Sequence, residues 1–178
     1  MGPKRARKKR RSDEFFTRTK LLYVGYKVRQ DKAEAYRLEK EKAIKAKKRP
    51  PKSLPPFDKA DSFFKREAYA LLREYSDSEG RAIIKSVVRI YADEPRYPSY
   101  TENRFYWGLV AIDSGEGILS KQKLSKIAKQ LLYADHNGIA PQLLIGFLYQ
   151  IGGSDHIHKQ LSKNYRDPSL NLAAAAVS

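Results

Sequence analysis

The residues with the plainest chemical purpose in this chain are cations. Residues 4–11 read KRARKKRR, in which Lys4, Arg5, Arg7, Lys8, Lys9, Arg10 and Arg11 leave only Ala6 uncharged. Crowded ammonium and guanidinium groups repel one another and have no reaction to perform. What they can do is neutralise a polyanion and release its condensed counterions. Other candidates are weaker. His156 and His158 stand two apart in SDHIH, a spacing that turns helical side chains to different faces, so a metal would need an extended segment and a further ligand. DSGEG at 113–117 resembles part of a calcium loop but lacks the alternating acids and the terminal Glu, which favours a glycine-rich turn. No phosphate-loop, dinucleotide, zinc-protease or nucleophile-elbow motif occurs. Twelve tyrosines make chance matches to a recombinase-like pocket easy, and none is distinctive. The expectation is a binding protein and not an enzyme, without catalytic residues, metal, cofactor or small-molecule substrate.

The placement of charge sharpens this. Of 36 Lys and Arg against 20 Asp and Glu in 178 residues, residues 1–56 hold 20 and 6, a net +14 of the total +16. The remainder is nearly neutral, so the polyanion's site is expected in the first third, with nucleic acid ahead of an anionic membrane as partner. Absence of Cys excludes a disulfide framework and thiolate metal sites and leaves the compartment open. No apolar run approaches the roughly 20 residues of a membrane-spanning helix. The basic start is followed by no apolar stretch, and Asp13 and Glu14 argue against a transit peptide.

The elements that must carry the cations read as helices. Ser12 is a plausible N-cap with Asp13 and Glu14 in the first turn, and Phe15, Thr19, Leu22 and Tyr26 follow at i, i+4, i+7 and i+11. Phe16 and Tyr23 widen the stripe; Arg18 and Arg29 fall along one edge, Lys20 and Lys27 along the other. A second helix is expected from DKAE, where Asp31 and Glu34 have capping-box spacing, to about Arg49, with Tyr36, Lys40, Ile44 and Lys47 on one face. Neither helix has enough apolar residues for a core. Phe15, Leu22 and Tyr26 are therefore expected at a subunit interface, a solvated tail being the competing reading that these aromatics oppose.

KKRPPKSLPPF then places four prolines between Pro50 and Pro56, which stop a helix and favour an extended connector. Beyond it, DSFFKREAYALLREY, SDSEGRAIIKSVVRIYA, YTENRFYWGLVAI, SKQKLSKIAKQLLYA and PQLLIGFLYQI read as successive helices, Ser76 and Glu79 having capping-box spacing before the second. The last of these, started by Pro141 and apolar on nearly every side, is expected to be the central one. Trp107 reads as a core or interface residue, and Lys121, Lys123, Lys126 and Lys129 as a solvated face. The fold class is thus all-α: a basic N-terminal helix-turn-helix arm (1–49), a Pro-rich linker (50–57), a compact helical bundle (58–166) and a C-terminal tail (167–178).

Cations bordering a narrow apolar stripe, without an Asn or Gln cluster to read bases, suit duplex phosphates and sequence-independent binding. This architecture resembles the major coat proteins of rod-shaped and filamentous archaeal DNA viruses: rudiviruses, lipothrixviruses and tristromaviruses. EGRAIIKSVVRIYA is similar to their early bundle helix, and LLYADHNGIAPQLLIGFLYQIGGS to their penultimate turn, Pro-started apolar helix and Gly stop; together these cover about a quarter of the chain. The resemblance implies a structural virion protein, assembled in the host cytoplasm, whose subunits pair with copies or with a related coat protein. They would clamp double-stranded DNA in A-form between their arms, with contact to an envelope left open. By role it makes Arg18, Lys20, Lys27, Arg29, Lys40 and Lys47 phosphate contacts, to which Lys48 and Arg49 at the arm's end are added. Glu34, Glu39 and Glu41 depart from that pattern; Glu34 and Glu41 share a face and can pair with another subunit's cations. A cellular chromatin- or ribosome-associated protein is the alternative.

Overall fold

The computed structural model describes residues 3–95, 98–151, 157 and 159–161. Among these every regular element is helical and no strand occurs, as the apolar periodicities predict. The chain divides into two compact units, Met1–Leu71 and Leu72–Ser178, a division that falls inside a helix and not in the proline-rich stretch.

The first unit is built on α1, one continuous helix from Pro3 to Lys45 and about 65 Å long at 1.5 Å per residue. The expected two-helix arm is replaced by a single rod. Gln30 and Asp31 contain neither Gly nor Pro, so nothing there outweighs the hydrogen bonds that continuing the helix gains. Glu34 does not cap; it pairs with Arg37 one turn on, at 3.0 Å. Ser12, expected as the N-cap, lies inside the helix, which starts instead at Pro3, a residue suited to a first turn. The rod ends where Lys47 takes a left-handed φ of 53°. The chain then folds back, and the Tyr36 hydroxyl donates to the Pro51 carbonyl at 3.0 Å. A 3-10 turn at Pro56–Asp58 leads into α2, Ala60–Glu74.

The α1 stripe finds its partner within this unit. Tyr23 and Tyr26 set their rings against Phe64 of α2 at centroid separations of 5.9 and 5.5 Å, and the Tyr26 hydroxyl donates to Asp61 at 3.3 Å. Phe15, Leu22, Tyr23, Tyr26 and Phe64 are all buried. Gly25 is required by this packing: a Cβ there would run into the Phe63 ring, over which Arg29 also lies, its guanidinium carbon 3.7 Å from the centroid. Close approach of a side chain to bare helix backbone offsets the roughly 1 kcal/mol that a mid-helix glycine costs.

In the second unit α3 (Ser78–Tyr91), α4 (Arg104–Asp113), α5 (Lys121–His136) and α6 (Leu144–Gln150) pack in sequence, α4 lying against both α3 and α5. The enclosed helix is α4, not α6. Phe105, Trp107, Gly108, Leu109, Ala111, Ile112 and Asp113 of α4 are buried, whereas Leu143 and Tyr149 bracket α6 at 64% and 58% exposure. An apolar composition all round does not fix burial in a helix two turns long, which offers little length for packing against α5. Pro141 opens a 3-10 turn before α6 as expected of its locked φ. Asp77, and not Ser76, caps α3, accepting from the Gly80 amide at 2.7 Å. Trp107 is core, with its indole N–H donating to the Pro98 carbonyl at 2.9 Å. DSGEG is the predicted turn: the Asp113 carboxylate accepts from the amides of Ile118 and Leu119, closing the loop on itself.

Candidate nucleic-acid interface

The expected phosphate contacts converge on α1 and the residues just after it. This helix holds 16 Lys and Arg against 6 Asp and Glu, and its exposed polar surface includes no Asn and a single Gln, Gln30. Within the N-terminal run Arg7, Lys8, Lys9 and Arg10 are exposed and Arg11 is half-buried; the side chains of Lys4 and Arg5 lie outside the described residues. At 100° per residue, consecutive cations point to every side of the rod. Such a segment can follow phosphates on a strand to either side of it, but presents no one face for docking in a groove.

Further along, the cations separate by role. Lys20, Lys27 and Lys40 are exposed on the rod, and Lys47, Lys48 and Arg49 are exposed after its end. Arg18 is half-buried beside an open groove of about 220 Å³ whose walls include Leu21, Leu22, Phe63 and Leu71. Arg29, expected to contact phosphate, is half-buried: besides covering Phe63 it donates from Nη1 to the Gly25 carbonyl at 3.1 Å. A guanidinium held by a ring and a carbonyl serves α1's packing, and the reason it looked available is that periodicity places a residue on a face without saying what else reaches that face.

Phe15, Leu22 and Tyr26 require a correction. They were expected at a subunit interface because the arm offered no partner, and α2 supplies one for that stripe in the same chain. The apolar surface that α1 does leave to solvent is another set: Leu21 at 64% exposure, Val24 at 61%, Val28 at 58% and Leu38 at 47%. Sequence reasoning missed it. Its signal, a spacing of 3, 4 and 10 residues, was present but outranked by the larger aromatic stripe on the opposite face.

No group of three or more potential metal ligands occurs among the described residues, and His156 and His158 lie outside them. No described helix is long and apolar enough to cross a membrane. No protein-family model, curated protein or solved structure matches this chain.

Proposed function

We propose that this chain is a structural protein that coats and packages double-stranded DNA in a helical filament, through sequence-independent phosphate contacts of its N-terminal region. The observation that carries this reading is the concentration of charge: +14 of the net +16 within residues 1–56, mounted on a rod about 65 Å long. Over that length a duplex presents roughly 38 phosphates at one charge per 1.7 Å. A rod of that reach with cations on all sides near its start matches a linear polyanion better than a compact ligand. Base-edge recognition needs Asn, Gln or Arg presented on one face in a groove, and α1 instead distributes Lys and Arg around its axis.

In this reading Lys4 to Arg11 and Lys47 to Arg49 hold phosphates. The filament is the virion, and the likeness to archaeal filamentous-virus coat proteins adds the expectation that the DNA is held in A-form. Electron microscopy of the purified protein mixed with linear duplexes of unrelated sequence tests it. Uniform filaments on every sequence are expected; discrete complexes would favour a chromatin-like protein, and cut or joined strands an enzyme.

A further inference from the structure

The exposed apolar residues of α1 form a seam with a coiled-coil period. Leu21, Val28 and Ala35 are spaced by seven, and so are Val24, Asp31 and Leu38; all six are exposed. These are alternating a and d positions of three heptads, the spacing that lets two helices supercoil along a shared seam. The seam lies on the side of α1 away from the buried stripe, and the returning chain at Pro51 engages Tyr36 on a third face.

We infer that this seam pairs α1 with α1 of a second copy of the chain, in antiparallel orientation, centred between Val28 and Asp31. The flanking charges choose the occupant and its direction. With Leu21 opposite Leu38 of the second copy, Val24 faces Ala35 and Val28 faces Asp31. The g positions then meet as Lys20 with Glu41 and Lys27 with Glu34, each twice by symmetry, and at e positions Arg18 meets Glu39. One heptad beyond, Glu14 faces Lys45 at both ends of the seam. A parallel pair would instead oppose Lys27 to Lys32, Glu34 to Glu39, and Glu14 and Lys45 each to its own copy, like-charge contacts that outnumber the one attraction, Asp13 with Arg18. Glu39 and Glu41, which looked out of place in a DNA-binding arm, thereby acquire partners, and Glu34, paired with Arg37 in its own chain, gains a second. Leu38 of the second copy also comes to rest against Leu21, a wall of the groove that Leu22, Phe63 and Leu71 line. Asp31 is the one polar residue in the apolar stretch, and a single polar a or d residue fixes register at a cost in affinity.

This rests on the proposed coat reading only for its purpose, and it refines that reading: Lys20 and Lys27 become rim ion-pair residues, while the cations of 4–11 of one copy lie beside Lys47 to Arg49 of the other. Its test uses the full chain without nucleic acid, so the pairing and the DNA reading fail separately. The chain has no Cys. Leu21→Cys and Leu38→Cys, both at exposed positions, are oxidised separately and as a mixture. Antiparallel pairing predicts disulfide formation in the mixture and none in either alone, since residue 21 and its copy would stand about 26 Å apart along the axis. Cross-linking of Leu21→Cys to itself, or no linking in the mixture, overturns the proposal. In sedimentation, Lys27→Glu should weaken self-association roughly tenfold, two attractions becoming two repulsions, and Lys27→Glu/Glu34→Lys should restore it. A double variant no tighter than the single one also overturns it.

Discussion

Replacing Phe64 with Ala tests how α1 is held to α2. Phe64 is 1% exposed and is met by the rings of Tyr23 and Tyr26 from one side of the rod. Truncating a buried Phe to Ala costs about 3–5 kcal/mol, which includes the two aromatic contacts at about 0.5–1.5 kcal/mol each. A loss of 3 kcal/mol raises the open population of this packing by roughly two orders of magnitude. Hydrogen exchange of the amides of residues 15–26 reads it directly: protection there should fall by that factor. Tyr26→Phe is the companion variant. It removes a long hydrogen bond to a solvent-exposed carboxylate and keeps the ring, so its effect should stay below about 1 kcal/mol. Unchanged protection of residues 15–26 in Phe64→Ala, or a larger loss in Tyr26→Phe, would refute the view that ring packing holds the rod.

Three further outcomes are expected. Gly108→Ala should lower the melting temperature, because the new Cβ meets both methyls of Leu72, which is itself buried and cannot swing away; overpacking of about 1–3 kcal/mol exceeds the roughly 1 kcal/mol of helix propensity gained. Asp113→Ala should unfasten the loop after α4, each lost hydrogen bond from the amides of Ile118 and Leu119 to a charged acceptor costing about 1.5–3 kcal/mol, whereas Asp113→Asn keeps one acceptor and should lose about half as much. The Ser99 hydroxyl and amide hold the exposed Glu102 carboxyl below its usual range, so its contribution is present above the unfolded value and is lost as pH falls through the folded one; the melting temperatures of the wild type and Glu102→Gln should differ at neutral pH and converge on acidification.

Local patterns carried much of the fold. Ile83, Ile84, Val87 and Val88 announced the buried face of α3. Phe64, Ala68 and Leu71 were readable as the inward side of α2. Three features were not. Continuity of α1 through Asp31 was hidden by a capping-box spacing that occurs as readily inside a helix as at its start. The partner of Tyr23 and Tyr26 was hidden because Phe64 lies beyond four prolines, and periodicity reports a face and not its neighbour. Enclosure of α4 over α6 depends on which helix has neighbours on two sides, information held by the tertiary arrangement alone. For the candidate interface, position along the chain was enough to locate the cations. Separating Arg29, committed to Phe63, from Lys20 and Lys27, exposed on the rod, required the structure.

The central claim is that the cations of residues 4–11 and 47–49 hold the phosphates of any duplex. The salt dependence of DNA affinity measures this most directly. Ten such contacts predict a plot of log K against log salt with a slope on the order of −9, the same for unrelated duplex sequences, and replacing the seven cations of 4–11 with Ser should reduce it by roughly 6. A slope that stays unchanged in that variant, or that differs from one duplex sequence to another, would contradict the account.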